Sequence, residues 1–455
     1  MKSIFSCFGR PQRLATWSFV LLFTTTLPHC SLLHVRSVFP ANGATNVCPD
    51  TQLRITFRGT PPIGASGTVK LMDAEGKVVD TIDLSTPVQT KTVGGVDYSY
   101  DAVTIADHVV TFHPHATLDY GKTYHVVIEP GIFNKKVSAT TLRHAGLSDW
   151  HFSTKKAGPP EGAQQLTVAA DGSGDFCTVQ GAVDFLPARN RDPVTIMVKP
   201  GVYDDLIHIP VQKTNITVRG GDRTGTILTG RNNEKLNPGR RDLFFVGGDD
   251  FKLENITVKN TTPRGGSQAE ALRIKANRCV LDHVNLISFQ DTARLEGLVY
   301  AHDCYIEGDV DFIWGRGSVY FDHCTLKAVA GDGFFVQSRS PGSRSGYVFV
   351  DCKIETAPGV KNIPLARVEP KRFPYSQVVF INCAMGSGIL GAGWELEGTG
   401  HRDNLRFWEY GSTDLADKPL DVSKRLPASR QLSAEEAANL RDVSSVLSGW
   451  TPPKS

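Results

Sequence analysis

The stretch from Ser288 to Gly315 reads SFQDTARLEGLVYAHDCYIEGDVDFIWG and sets Asp291 and Asp311 20 residues apart. That interval is too long for one helical turn or one hairpin, but it suits one circuit of a coiled sheet. A short pattern on either side supports the circuit: a polar Asn, Asp or His, then Ile, Val or Cys, then any residue, then an apolar one. It stands as NITV at 215–218 and 255–258, HVNL at 283–286, DCYI at 303–306, HCTL at 323–326, DCKI at 351–354 and NCAM at 382–385. From Ile256 the second positions advance by 28, 20, 20, 28 and 31 residues, through Val284, Cys304, Cys324, Cys352 and Cys383.

Short alternating runs such as GSVYFDHCTL cannot bury their apolar face alone, and stacking coil on coil lets them do so together. The expected fold class is therefore all-β, with a right-handed parallel β-helix over residues 165–451. In such a stack Cys304, Cys324, Cys352 and Cys383 join Ile and Val in one inward ladder as small hydrophobes and remain thiols. The sequons that begin at Asn215, Asn255 and Asn260 read as strand sequence. Thr178 is expected to N-cap an amphipathic helix within FCTVQGAVDFLP, 176–187, closing the open end of the solenoid.

Residues 36–155 have a different texture, with short alternating runs such as GTVKLMD and YHVVIEP between turn residues. They predict a small antiparallel sandwich. PANGATNVCPDTQLRITF in this part resembles bacterial Ig-like domains. A linker is expected at 156–164, where KKAGPPEG occupies 155–162. Residues 1–30 read as a secretory signal, with Lys2, Arg10 and Arg13 before the apolar run Trp17–Leu27. That run is shorter than the roughly 20 apolar residues needed to span a bilayer. The expected location is secreted, periplasmic or cell-surface, and Cys30 lacks the small preceding residue of a lipidation site. At 455 residues, 40% hydrophobic and 21% charged, with net charge +2, the chain has material for a large core. No basic run points to nucleic acid.

Asp291 follows Val284 by seven residues, as Asp311 follows Cys304. Equal offsets on successive coils place the pair one rung apart, about 4.8 Å in a parallel sheet. Like charges that close separate their pKa values and leave one carboxyl ionised and one protonated, the division that a nucleophile and a general acid need. Gln268, Gln290 and Arg367 follow repeat markers by 6 to 15 residues, as through a turn of variable length, and are expected on the same outer strand face.

At these positions the chain resembles the pectin methylesterases. Their signatures QAVAL, QDTL, DFIFG and LGRPW stand here as QAEAL, QDTA, DFIWG and LARVE. GSGDFCTVQGAVDFLP, GVYDD at 201–205 and QVVFINCAMGSGILGAGW add to the likeness over roughly 165–450. The resemblance implies hydrolysis of galacturonan methyl esters without metal or other cofactor. It makes Asp311 the nucleophile, Asp291 the acid and base, Gln268 and Gln290 the oxyanion donors, and Arg367 the partner of Asp311. It also implies that Trp314, Phe289, Tyr203 and Trp394 contact a pectin-like polysaccharide, and that the chain acts as a monomer.

The departures bear on the substrate. Ala366, Val368 and Glu369 replace glycine, proline and tryptophan of LGRPW, and Glu369 is expected to repel galacturonate carboxylates. Asp205 stands where the family has glutamate, with shorter reach to orient loops. The competing readings are an esterase or glycosidase on another plant polysaccharide, and a non-catalytic carbohydrate-binding rod.

Overall fold

The structure, a computed structural model, describes residues 35–61, 63–133, 139–144 and 146–453. The expected signal at 1–30 and Cys30 lie outside the described residues. No helix among the described residues is long and apolar enough to cross a membrane.

The N-terminal part is a sandwich of a four-stranded and a five-stranded sheet, spanning the strands from Val35–Phe39 to Trp150–Thr154. Alternation buries Leu53, Ile55 and Phe57 of one sheet against Val126, Trp150 and Phe152 of the other, in a core of its own. A separate hairpin, Val88–Val93 with Val96–Asp101, reaches out of the sandwich, and Val93 and Tyr98 pack on Leu206 of the following part.

From Gln165 onward the chain winds as a parallel β-helix. Each coil contributes up to three strands, as Leu298–His302, Tyr305–Gly308 and Ile313–Gly315 do in the coil that holds Asp311. One wall is an 18-stranded sheet that bends between its first and second strands, and the other is an eight-stranded sheet. The strands of the second wall are β1 (Ile207–Ile209), β2 (Phe244–Val246), β3 (Leu272–Ile274), β4 (Ala293–Leu295), β5 (Ile313–Gly315), β6 (Val336–Ser338), β7 (Ala366–Val368) and β8 (Trp394–Leu396). Helix α1 (Val179–Phe185) covers the first coil, and the Thr178 hydroxyl accepts from the Gly181 amide at 3.0 Å as its N-cap.

The repeat marker has a backbone cause. Its first residue, at Asn215, Asn255, His283, Asp303, His323, Asp351 and Asn382, is left-handed in every case, with φ between 45° and 56°. That conformation turns the chain from one strand of the bent wall into the next. Asn, Asp and His tolerate it far better than β-branched residues do. The residue after it points inward: Ile256, Val284, Cys304, Cys324, Cys352 and Cys383 are all buried. All four ladder cysteines are free thiols, and the Cys304 amide lies 3.4 Å from the Cys324 sulfur. Beside them Phe321, Phe349 and Phe380 stack at centroid spacings of 4.3 and 4.8 Å, one ring per coil. Each such buried side chain stabilises the fold by about 1.5–3 kcal/mol.

Polar contacts bind the sandwich to the solenoid. The Asp50 carboxylate accepts from the amides of Cys177 and Thr178 and from the Thr178 hydroxyl, so the first domain helps cap α1. Tyr98 shares a 2.8 Å hydrogen bond with His208, and Arg231 pairs with Asp101.

Placing a β-branched residue at a left-handed corner is expected to cost about 1–2 kcal/mol. His323→Val should therefore lower the melting temperature, whereas His323→Gly, whose backbone accepts φ of 54°, should lower it much less. Thermal unfolding followed by circular dichroism compares the two.

Candidate active site

Strand pairing in the second wall runs without slips from β1 to β5. Ile207 pairs with Phe244, Phe244 with Leu272, Leu272 with Ala293, and Ala293 with Ile313. The residue two places before each of these is an acid: Asp205, Asp242, Glu270, Asp291 and Asp311. Five coils thus stack five carboxylates at one corner, each about 4.8 Å from the next along the backbone. All five are buried.

Asp291 and Asp311 sit in the turn before β4 and β5, not on the strand face expected from their spacing. Both are left-handed, with φ of 70° and 48°, a conformation that aspartate accepts and that aims its side chain off the strand plane. The rung between them is as expected, with the Asp291 amide donating to the Val310 carbonyl at 2.9 Å.

Their surroundings differ. Asp291 Oδ2 accepts from Arg241 Nη2 at 2.6 Å, and the same guanidinium donates from Nε to both oxygens of Glu270, at 2.8 and 3.0 Å. Asp311 Oδ2 lies 3.6 Å from Arg367 Nη2, while its Oδ1 is buried without a hydrogen-bond partner. Arg367 binds Glu397 more closely, at 2.6 Å, and lies over the Phe334 ring. Arg367 is therefore shared between two acids rather than dedicated to Asp311.

Burial, more than mutual repulsion, moves both pKa values. Asp311 is pushed up to about 6 by burial, against the pull of Arg367 and Arg339. Asp291 is raised well above the carboxylate range by burial first and by the Glu270 charge second; Asp311 contributes less to it than Arg241 opposes. The expected inequality exists, but its main like-charge source is a residue that spacing did not single out.

Gln268 and Gln290 are half-buried beside this corner. The Gln290 carbonyl accepts from the Ala269 amide at 3.1 Å, so the segments that carry the two amides lie on neighbouring coils. Half-buried Phe289 is in the same turn, its carbonyl accepting from the Asp309 amide. Trp314 lies on β5, close-packed rather than open, with the guanidinium carbons of Arg294, Arg339 and Arg241 at 4.3, 4.5 and 5.3 Å from its ring centroids.

Tyr203 and Trp394 are not at the site. Tyr203 is 3% exposed, within the core, and its hydroxyl donates to the Lys199 carbonyl. Trp394 points inward from β8 and stacks on Phe407 at 4.7 Å. Both sit at apolar positions of the strand alternation, which face the solenoid core. Glu369 is also not a free charge, because Arg372 pairs with it at 3.1 Å. Asp205 accepts from the Gln180 and Leu206 amides, joining α1 to the first coil, and burial pushes its pKa up to about 6.

Arg241, Glu270, Arg339 and Glu397 went unnoticed in the sequence. For Glu270 a signal was present: it precedes Asp291 by 21 residues, the length of that coil, within QAEAL. Arg241, Arg339 and Glu397 carry no comparable spacing, since the turns that deliver them differ in length.

Comparison with known proteins agrees with this architecture. Residues 165–440 match the pectinesterase family, and residues 31–154 match the bacterial Ig-like domain family. Pectinesterase 31 of Arabidopsis thaliana is 32% identical over 291 residues, covering 61% of this chain and 90% of that protein. Pectinesterase 2 of Olea europaea is 31% identical over 304 residues, covering 64% and 81%. Among solved structures, pectin methylesterase from carrot superposes with a TM-score of 0.57 at 25% identity, over 64% of this chain and 95% of that one. Pectin methylesterase PemA from Erwinia chrysanthemi shares the fold, with a TM-score of 0.56 at 22% identity over 65% of this chain and all of that one (100%). With more than half of its length matched and two aspartates in register in the turns before β4 and β5, the chain belongs to the pectinesterase family and carries a bacterial Ig-like domain ahead of the β-helix.

Proposed function

We propose that the chain hydrolyses methyl esters of galacturonan, with Asp311 as nucleophile and Asp291 as acid and base. The observation that carries these roles is the register that sets the two carboxyls one rung apart, Asp311 held by Arg367 only at 3.6 Å and Asp291 raised well above the carboxylate range by burial and by Glu270. The Asp311 carboxylate attacks the ester carbonyl. The Gln268 and Gln290 amides donate to the tetrahedral oxyanion. Methanol departs with the Asp291 proton, leaving the sugar carboxyl joined to Asp311 as an anhydride. Asp291, now ionised, removes a proton from water as the water attacks that carbonyl. The anhydride opens, free galacturonate leaves, and both aspartates return to their starting states.

Arg367 holds Asp311 by charge alone at 3.6 Å. Half-buried Phe289 lines the approach, while Trp314 packs beneath the arginines that flank the two aspartates. The substrate is a pectin-like polysaccharide, and the exposed pairing of Glu369 with Arg372 weakens the repulsion expected against its carboxylates. The chain works outside the cytoplasm, where such a polymer is met, as a monomer and without a metal or cofactor.

Methanol release from highly esterified pectin tests the roles. Asp311→Asn and Asp291→Asn should each lower turnover by at least about 10²-fold with unchanged circular dichroism. Turnover near that of the wild type in either variant refutes the assignment, and new reducing ends in place of methanol point to glycosidic cleavage.

Asp311 acts ionised, so activity should fall as the pH drops through about 6. The Glu397 charge raises Asp311 and competes for Arg367. Glu397→Gln should therefore move the acid limb of the pH–kcat profile to lower pH. A limb that stays in place, or moves up, contradicts this coupling.

A further inference from the structure

The carboxyl that donates the proton to methanol has a second acid behind it. Glu270 is fully buried, one rung before Asp291, where the family's QAVAL signature has valine. A lone carboxylate there would be prohibitively costly, and Arg241, from the turn before β2, compensates it with two hydrogen bonds. The third arm of the same guanidinium reaches Asp291 Oδ2.

With Arg241 as its only neighbour, Asp291 would form an ion pair and remain ionised, unable to release methanol. The other charges facing this cluster are known. Glu234 lies 3.3 Å from Arg241 Nη1, and Asp242 occupies the rung before Glu270, paired with Arg273 at 3.7 Å. Asp311 follows on the next rung, and Arg339, from the turn after β6, acts on both aspartates.

We propose that Glu270 is a positioning residue for the ester hydrolysis. By binding the Arg241 guanidinium, it prevents that cation from ionising Asp291, which keeps the proton needed by the leaving group. This rests on the acid/base role given to Asp291 above. Arg241 in turn fixes the orientation of the Asp291 carboxyl. Burial raises the pKa of Glu270 itself to about 7, so its charge offsets that of Arg241 on the basic side, where Asp291 must keep its proton. Valine in place of Glu270 would leave the arginine with Glu234 alone, so this chain requires the two residues together.

The test is the pH dependence of kcat for methanol release. In Glu270→Gln, Arg241 keeps only the half-exposed Glu234 against its charge and should move the basic limb down by about one pH unit or more, a loss of about tenfold in kcat on the falling side. Activity on the acid side should be largely kept. Glu270→Asp should recover part of the shift. The double replacement Arg241→Met, Glu270→Val leaves neither charge, and its limb should return to within about half a pH unit of the wild type. It carries the test even if the single variant does not fold, because its limb must not lie below that of the wild type by more than this margin.

An equal loss of kcat at every pH in Glu270→Gln, with the limb unmoved, would reduce Glu270 to a structural role and overturn the proposal. So would a double variant whose limb is displaced downward by a unit or more. Asp291→Asn distinguishes the two levels of failure: full turnover there removes the acid/base assignment itself, whereas unmoved limbs with an inactive Asp291→Asn remove only the role of Glu270.

Discussion

Parallel strands of neighbouring coils pair residue by residue, and this register governs where every side chain of the β-helix stands. Backbone hydrogen bonds hold adjacent coils about 4.8 Å apart, so residues tens of positions apart along the chain become neighbours at a separation that side chains cannot adjust. Turns between strands vary in length without disturbing this order. The coils advance by 20 residues around Asp291 and Asp311 and by more elsewhere, yet the pairing from β1 to β5 stays in step. Corner residues make the stack possible, since left-handed Asn, Asp and His turn the chain at the same place in coil after coil.

The same repetition that aligns the hydrophobic ladders also aligns five acids, and the cost of doing so shapes the site. Burial holds all five carboxyls above their usual range, and the neighbouring cations oppose that shift without cancelling it. Arginines from turns of different length supply those cations unevenly. Asp242 has Arg273, Glu270 has Arg241 in two hydrogen bonds, and Asp311 shares Arg367 with Glu397. From this uneven supply comes the chemical difference between two aspartates that the backbone treats as equivalents. Asp311 is pushed up to about 6, and Asp291 is raised well above the carboxylate range by burial and by the Glu270 charge.

At the other end of the solenoid the Ig-like domain contributes to the fold of its neighbour. Asp50 accepts from the N-terminal amides around α1, where unpaired donors would otherwise face a buried junction. The Val88–Asp101 hairpin extends that contact along the first coils through Tyr98 and His208. The two parts of the chain therefore meet through specific polar bonds as well as apolar packing.

The repeat of a polar corner residue and an inward Ile, Val or Cys determined the β-helix, because backbone conformation and burial both act within a few residues. It also brought Asp291 and Asp311 together, since equal offsets on equal coils need no further information. Thr178 as a helix cap and the unpaired cysteines followed from equally local rules. Tertiary structure alone decided that Tyr203 and Trp394 face the core, that Glu369 pairs with Arg372, and that Arg367 leans toward Glu397. It also decided that Glu270 and Arg241 set the surroundings of Asp291. These are contacts between side chains delivered by turns of unequal length, and the direction in which such a turn aims a long arginine is settled by packing and desolvation after the coils have stacked.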